Sequence, residues 1–285
     1  MPAVAGLGNC VSNGPFILVI ADYGKGDPAF GEVYQRIINL IPDANIKDVS
    51  VEPLSTTQTG FWAYQFALNQ DEIMEHCVGG KSLRPTYIFM NTAPRKDNKG
   101  PRKDNEGERL VLAELTNGVK VVGALSGESF SFIKPMIKKL SSIEVPATGS
   151  QFRSRDAFPN ALKDVVLGAA HFQKELKIDS IPQLKKGYRI AHVDGFGNVK
   201  LTVRKSQCEF RIGDTVTVSV EHRSLRMRYA EGIFSINEGE LSLAPGSSGP
   251  KDDRFLEISK RAGNAWEELG RPRVESELSV SKSGK

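Results

Sequence analysis

A run of five apolar residues at positions 16–20, followed by a polar, glycine-containing loop, is the feature that most constrains the fold of this chain. Such a run, bounded by turn residues, is typical of a strand covered on both faces in a parallel sheet. The loop carries Asp22 and Asp27 and leads into Pro28. Because ligands of open α/β sheets lie beyond the carboxyl ends of the strands, this loop is a candidate binding site.

The side chains of the loop narrow the class of ligand. A phosphate-binding turn offers bare backbone N–H groups, whereas this loop presents two carboxylates and lacks a G-x-G-x-x-G pattern, since position 29 is Ala. Carboxylates accept hydrogen bonds and therefore suit a ribose diol, an ammonium group or a metal ion. Asp27 before Pro28 also matches a helix N-cap, a role compatible with a site. Asp22 has no comparable structural explanation, which favours a functional role.

Composition limits the classes of function. The 285 residues suggest one large or two ordinary domains, and 39% hydrophobic with 25% charged residues are globular values. The net charge of +4 forms no basic stripe with interleaved aromatics, which disfavours nucleic acid as a partner. We find no secretory signal and no apolar run near the roughly 18 residues of a membrane span. Three widely spaced cysteines, Cys10, Cys77 and Cys208, favour a reduced, cytoplasmic setting.

Periodicity predicts an α/β domain over residues 1–178, with a mostly parallel sheet between helices. Asn117-Gly118 between two apolar runs is a strong signal for a hairpin. The predicted strands are 16–21, 45–52, 86–91, 109–115, 119–125 and 143–146. The predicted helices are 28–41, 56–77, 129–140 and 156–176.

From residue 188 the apolar period changes to two, which predicts a smaller, barrel-like all-β domain over residues 187–285. Its predicted strands are 188–193, 198–203, 215–220, 232–236 and 240–243. Residues 255–269 show a weak helical pattern, and the polar tail 279–285 is predicted to be disordered.

Two further stretches bear on function. Residues 94–107 form a tandem near-duplicate, PRKDNKG-PRKDNEG, which lacks apolar residues and predicts an exposed loop or, since it follows a strand, a lid. Residues 194–198, DGFGN, lie between two predicted strands. They predict either a hairpin turn with a buried Phe196 or a platform on which Phe196 stacks against a base while Asn198 bonds its edge. The four histidines show no metal-binding spacing.

Together these stretches resemble the S-adenosylmethionine hydroxide adenosyltransferase family, which includes the fluorinase and chlorinase enzymes. The resemblance covers about residues 17–269. The first loop matches the family pattern S-D-x-G-x-x-D with Ala21 in place of Ser, and residues 194–198 match its D-x-F-G-N turn. Residues 152–168 and 237–248 resemble the segments T-F-x-[GS]-R-[DE] and N-S-x-G-x-L-x-I-A.

The resemblance implies a nucleophilic attack on C5′ of S-adenosylmethionine that expels methionine, without a further cofactor or metal. It also implies a homotrimer, with each site between the α/β domain of one subunit and the barrel of its neighbour. Asp22 would bind the ribose diol, while Asp27 and Asp194 would hold the methionine end. The remaining implied substrate-binding residues surround the adenosyl group: Phe152, Phe196, Asn198, Asn237, Ala244 and Ser247.

The chain departs from the family at the nucleophile. Hydrolases of the family use an Asp-Arg-His set around the attacking water. Arg109 matches the arginine, whereas Ala93 and Arg153 replace the Asp and the His. Ser154 matches a serine of the fluorinase and could hold a halide or hydroxide. We therefore take Arg109, Arg153 and Ser154 as the candidate catalytic residues.

Three hypotheses follow from these departures. The first is an S-adenosylmethionine-cleaving enzyme with water as the nucleophile. The second is a halide adenosyltransferase, although Ala93 replaces the aromatic residue of the halogenases and Ser55 replaces a Trp of the fluorinase. The third is a non-catalytic protein that binds adenosine or S-adenosylmethionine.

Overall fold

The computed structural model of the chain describes residues 14–76, 84–94, 107–146 and 150–283. The predicted loop or lid formed by the tandem repeat lies outside these residues, apart from Pro94 and Gly107. Cys10 and Cys77 lie outside them as well.

The first half of the chain forms a seven-stranded sheet in the order β2-β1-β3-β5-β4-β6-β7. The pairings among β2, β1, β3 and β5 are parallel, and those among β5, β4, β6 and β7 are antiparallel. The prediction of a mostly parallel sheet is therefore correct for only half of the pairings. The reversal begins at the predicted Asn117-Gly118 hairpin, where Gly118 adopts a φ of 84°. The strands are β1 (Phe16–Ala21), β2 (Asn45–Ser50), β3 (Thr86–Asn91), β4 (Leu110–Leu115), β5 (Lys120–Ala124), β6 (Ile137–Ile143) and β7 (Phe172–Glu175).

Helices cover both faces of this sheet, as predicted. Helices α1 (Pro28–Leu40) and α4 (Phe158–Val166) pack on one face against the β1 side chains that include Ile17 and Val19. Helix α2 (Thr56–His76) packs on the other face against Leu18 and Ile20. The apolar run of β1 is buried because both of its faces contact helices.

Two helix predictions in this half are wrong. Residues 129–140 form turns, a 3-10 helix at Lys134–Met136 and the start of β6. Phe130, Ile133, Ile137 and Leu140 are buried at helical spacing, yet β6 pairs with the distant strand β4. The predicted helix 156–176 is split into α3 (Arg153–Asp156), α4 and the strand β7.

The second half forms a closed barrel in the order β10-β11-β12-β13-β9-β8-β14. The predicted helix 255–269 is wrong over β13, and only the short helix α5 (Ala265–Glu268) is helical. Residues 233–235 form a 3-10 helix rather than part of a strand, and most of the predicted disordered tail belongs to β14. The strands are β8 (Tyr188–Val193), β9 (Val199–Arg204), β10 (Thr215–Val220), β11 (Arg223–Tyr229), β12 (Leu241–Pro245), β13 (Phe255–Lys260) and β14 (Glu277–Lys282).

Sheet and barrel meet through polar side chains, here called the interface cluster: the buried Ser55, Thr57, Glu128 and Arg189 and the half-buried Glu275. Arg189 of β8 forms a salt bridge with Glu128 at 2.8 Å, and Thr57 donates a hydrogen bond to Glu128 at 2.7 Å. Glu275 accepts hydrogen bonds from Ser55 Oγ at 2.7 Å and from Thr57 N at 3.2 Å. The ring centroids of Phe61 and Phe255 lie 5.1 Å apart, which adds an apolar contact between sheet and barrel.

The proposed domain limits, 1–178 and 187–285, stay a prediction. The last strand of the sheet ends at Glu175 and the first strand of the barrel begins at Tyr188. Within the part of the chain that the structure describes, no helix combines the length and apolar content needed to cross a bilayer.

Candidate functional site

The candidate site lies at one edge of the sheet, where three loops meet. Strands β1 and β3 run parallel and end in register, with Ala21 beside Asn91. Strand β4 runs antiparallel to β5, which is itself parallel to β3, so β4 begins at this same edge. The loop after Ala21, the segment after Asn91 and the residues before Leu110 are therefore brought together, as the strand-end rule predicts.

In the first loop, both predicted carboxylates have backbone partners. Asp27 caps α1 by accepting a hydrogen bond from Ala29 N at 2.8 Å, and Pro28 is the first helical residue, which confirms the capping prediction. Asp22 Oδ2 accepts a hydrogen bond from Leu54 N at 2.9 Å. Leu54 adopts a left-handed φ of 65°, an unfavourable conformation for a leucine. The turn before α2 thus contacts Asp22.

Tyr23, between the two candidate carboxylates, is the residue of this edge that the sequence reasoning missed. Its hydroxyl donates a hydrogen bond to Ser154 Oγ at 2.7 Å. Its ring makes edge contacts with Phe30 at 5.0 Å and Phe152 at 5.7 Å. Burial is the main cause that raises the pKa of Tyr23, so the phenol stays protonated at neutral pH. The sequence signal that could have pointed to Tyr23 is its position in the loop that follows a strand.

The structure brings Phe152, Arg153 and Ser154 to this edge through the short helix α3. Ser154 is buried, with 4% of its surface exposed. The Arg153 guanidinium lies 5.1 Å from the ring centroid of Phe158, and its Nη1 is 3.5 Å from the Glu108 carbonyl oxygen. The segment that carries Arg109 therefore contacts the segment that carries Ser154.

Arg109 and Ala93 lie at the same edge of the sheet. The exposed Arg109 directly precedes β4, and its carbonyl accepts a hydrogen bond from Leu125 N at 2.8 Å. Ala93 follows β3. Ala93, Arg109 and Arg153, the three positions that the resemblance aligns with a water-activating set, thus flank one edge of the sheet.

The remaining predicted residues lie on the barrel. In the turn between β8 and β9, Asp194 accepts hydrogen bonds from Phe196 N, Asn198 N and Asn198 Nδ2, each at 3.0 Å. A hairpin turn is therefore confirmed, but the predicted burial of its phenylalanine is wrong, because Phe196 is 83% exposed. The turn fixes the backbone and leaves the ring available for stacking.

The other three barrel residues differ in accessibility. Asn237 is exposed and donates from its amide to Glu240 at 3.1 Å. Ser247 is exposed, and its hydroxyl accepts a hydrogen bond from Lys200 Nζ at 3.0 Å. Ala244 is 3% exposed and packs against Ala230 and Ile236, so a direct contact with a ligand would require this small cluster to open.

The predicted site residues are divided between two parts of the fold, the sheet edge and the barrel. Sheet and barrel are joined by the interface cluster, in which Ser55 Oγ donates a hydrogen bond to Glu275. Among the described residues, no three His, Cys, Asp or Glu side chains come together as metal ligands.

Comparison with known proteins tests the family predicted from these motifs. No protein-family model matches the chain. Over 262 residues it is 23% identical to the (R)-S-adenosyl-L-methionine hydrolase of Methanocaldococcus jannaschii, a match that covers 87% of this chain and 89% of that protein. This similarity confirms the predicted resemblance to the S-adenosylmethionine hydroxide adenosyltransferase family.

Solved structures share the fold. An uncharacterized conserved protein from Thermotoga maritima superposes with a TM-score of 0.67 at 19% identity, covering 93% of this chain and all of that chain. A conserved hypothetical protein from Thermus thermophilus gives a TM-score of 0.62 at 18% identity, covering 94% of this chain and all of that one. The arrangement of sheet and barrel is thus common to proteins of very different sequence.

Proposed function

We propose that this protein cleaves the C5′–S bond of S-adenosylmethionine with water or hydroxide as the nucleophile. The observation that carries the proposal is the similarity to an S-adenosyl-L-methionine hydrolase along nearly nine-tenths of both chains. In this reaction a C5′–O bond forms and the C5′–S bond breaks. Sulfur leaves with the electron pair as neutral methionine thioether, and one proton of the water is released to solvent.

The chemistry of the sheet edge is compatible with this reaction. A sulfonium is already a good leaving group, so the protein needs no general acid and must chiefly align and desolvate the nucleophile. Asp22 and Asp27 supply acceptors for hydroxyl and ammonium groups. Arg109 and Arg153 make the nucleophile end of the site positive, which favours hydroxide or another anion over neutral water. We propose no metal and no cofactor besides the substrate.

The division of the predicted site residues between the sheet edge and the barrel is compatible with a site shared between copies. Phe196 offers an exposed aromatic face on the barrel, whereas Asp22, Phe152 and Ser154 lie at the sheet edge. We propose that the barrel of one copy completes the sheet edge of another in a homotrimer. Light scattering should then give three times the chain mass, and a monomer that cleaves the substrate would contradict it. A cytoplasmic location stays a prediction.

The proposed activity is tested by incubating S-adenosylmethionine with the protein and following products by chromatography. We expect adenosine and methionine in equal amounts, at a rate above that in buffer. No loss of substrate above the buffer control would refute the proposal. If calorimetry nevertheless shows that adenosine or S-adenosylmethionine binds, the protein is the non-catalytic binder suggested by Ala93 and Arg153.

A halide adenosyltransferase is the second candidate, favoured by the buried Ser154 beside Arg153. It requires that chloride or fluoride ions promote formation of a 5′-halo nucleoside. The assay is therefore repeated with and without each halide. If the nucleoside product of cleavage forms equally well without halide, this candidate is eliminated and the hydrolase remains.

A further inference from the structure

The paired hydroxyls of Tyr23 and Ser154 carry an inference beyond the reaction class. They are 131 positions apart in the sequence and 2.7 Å apart in space. Edge contacts with Phe30 at 5.0 Å and with Phe152 at 5.7 Å hold the Tyr23 ring. The Tyr23 hydroxyl is therefore fixed in place rather than free to rotate away from Ser154.

Each hydroxyl has one proton to donate, which limits the hydrogen bonds that Ser154 can form. Tyr23 donates its proton to Ser154 Oγ, so Ser154 cannot return a proton to the same partner. Within the part of the chain that the structure describes, the Ser154 hydroxyl has no acceptor for its own proton. Ser154 is 4% exposed, and a buried donor without an acceptor is costly. A ligand atom that accepts this proton would remove the cost.

The surroundings of Ser154 select an electron-rich acceptor. The adjacent Arg153 guanidinium contacts the backbone just before Arg109, and both arginines are cationic at neutral pH. Asp22, the candidate ribose ligand, precedes Tyr23 directly. Ser154 thus follows Arg153 in the chain and is joined through Tyr23 to the loop that carries Asp22.

We infer that Tyr23 is a positioning residue, which fixes the Ser154 hydroxyl so that its proton is donated to the oxygen that attacks C5′. This inference rests on the proposed function, because the attacking oxygen becomes the 5′-oxygen of adenosine. Tyr23 forms and breaks no covalent bond. It aligns the nucleophile by holding the one side chain that contacts it, and its burial keeps it protonated as a donor.

Two ligands that differ only at the 5′-oxygen test this inference without turnover. We measure the Kd of adenosine and of 5′-deoxyadenosine by calorimetry for the wild type, Tyr23→Phe, Ser154→Ala and the double variant. One neutral hydrogen bond predicts that the wild type prefers adenosine by about 2- to 12-fold. Ser154→Ala should abolish the preference, and Tyr23→Phe should reduce it at least by half. The double variant should equal Ser154→Ala, because Tyr23 acts through Ser154.

A matched control is Tyr87→Phe. Tyr87 is buried in the same core but pairs with Ile17 at the opposite end of β1, so its loss should leave the preference unchanged. Where the wild type cleaves S-adenosylmethionine, Tyr23→Phe should lower kcat with little change in KM. A preference retained in full by Tyr23→Phe, or absent from the wild type, overturns the inference.

Failure of the inference can be distinguished from failure of the proposed function. Cleavage without any 5′-oxygen preference overturns the role of Tyr23 and leaves the hydrolase standing. Binding with the predicted preference but without cleavage refutes the hydrolase and supports the role of Tyr23. Binding of neither nucleoside together with no cleavage of S-adenosylmethionine overturns both.

Discussion

Two polar regions of this molecule use their hydrogen bonds in opposite ways. In the interface cluster, Glu128 accepts from Arg189, from Thr57 and from Lys185 N, and both of its oxygens are used. Burial acts to raise the pKa of Glu128, but these partners outweigh it and lower the pKa. At the sheet edge, Ser154 accepts one hydrogen bond and its own proton has no acceptor among the described residues.

This difference distinguishes buried polar groups that stabilise the fold from buried polar groups that are suited to bind a ligand. A buried charge whose partners are all supplied by the fold contributes to holding sheet and barrel together, and substitution should affect stability. A buried donor with remaining capacity contributes little to the fold and suits a ligand. Neither burial nor charge alone distinguishes Glu128 from Ser154. The fold supplies partners for both Glu128 oxygens, whereas the Ser154 proton has no acceptor among the described residues.

The largest expected effect is at the interface cluster. Arg189→Met leaves Glu128 buried without its cation and should lower the free energy of unfolding by about 3–5 kcal/mol in urea titrations. Arg271→Met removes an exposed pair with Glu267 and should cost about 0–1 kcal/mol. The Kd of adenosine should stay within about twofold of wild type in both variants. A loss of stability below about 1 kcal/mol for Arg189→Met would show that the interface cluster does not stabilise the fold as proposed.

The interface also predicts a pH dependence through His192. Burial, followed by the nearby Lys200, lowers the pKa of His192 from 6.5 to about 4, and Gln58 Nε2 lies 2.8 Å from its Nδ1. Since the folded-state pKa is depressed, the unfolded chain binds more protons between these values. Stability is then complete above about pH 6.5 and is lost as pH falls toward 4, by about 2–3 kcal/mol.

Urea titrations at several pH values check this dependence. His192→Asn keeps an acceptor for Gln58 without a titrating ring, so its stability should change much less between pH 6.5 and 4.5. Equal slopes for wild type and variant in that window would show that other groups titrate there.

At the sheet edge, Asp22→Ala should change binding, with an additional effect on folding because Leu54 N loses its acceptor. Loss of a charge-assisted hydrogen bond to a ribose hydroxyl should weaken adenosine binding by about 1.5–3 kcal/mol, or roughly tenfold to over a hundredfold. The comparison of adenosine with 2′,3′-dideoxyadenosine by calorimetry sharpens the test, because the variant should no longer distinguish them. An unchanged Kd would mean that the diol binds elsewhere.

The smallest expected effect separates the two roles of Asp27. Asp27→Ala removes the cap of α1 and should lower the free energy of unfolding by about 1 kcal/mol, whereas Asp27→Ser keeps a capping oxygen and should cost much less. If Asp27 also holds the ammonium group of the methionine end, both variants should weaken S-adenosylmethionine binding to a similar extent. Weakening by Asp27→Ala alone would assign Asp27 to capping only.

The sequence predicted those elements that depend on local signals. The apolar run of β1, strand β3 and the Asn117-Gly118 hairpin appear where they were expected. Asp27 caps α1 as predicted because a cap is decided by neighbouring residues. The acidic loop was located by the rule that sites follow strand ends, although its substrate-binding roles are still to be tested.

Most of the errors concern structure that depends on distant partners. Strand β11 is an exception, because Leu225, Met227 and Tyr229 alternate with the exposed Arg226 and Arg228, a local strand signal that the sequence reasoning overlooked. The polar strand β14 is ordered by pairing with β10 and β8 rather than by its own sequence. The hydrogen bond between Tyr23 and Ser154 joins residues 131 positions apart, and no spacing in a single sequence reveals such a pair.

The position of β14 has a consequence for biosynthesis. All strands of the sheet have been translated by residue 175, so this half can collapse while the ribosome is still adding the rest. The barrel cannot close until residues 277–282 emerge, and Glu275, which contacts Ser55 and Thr57, arrives just before them. Until then β8 and β10 expose open edges, a stage at which a nascent chain is vulnerable to pairing with its neighbours on a polysome.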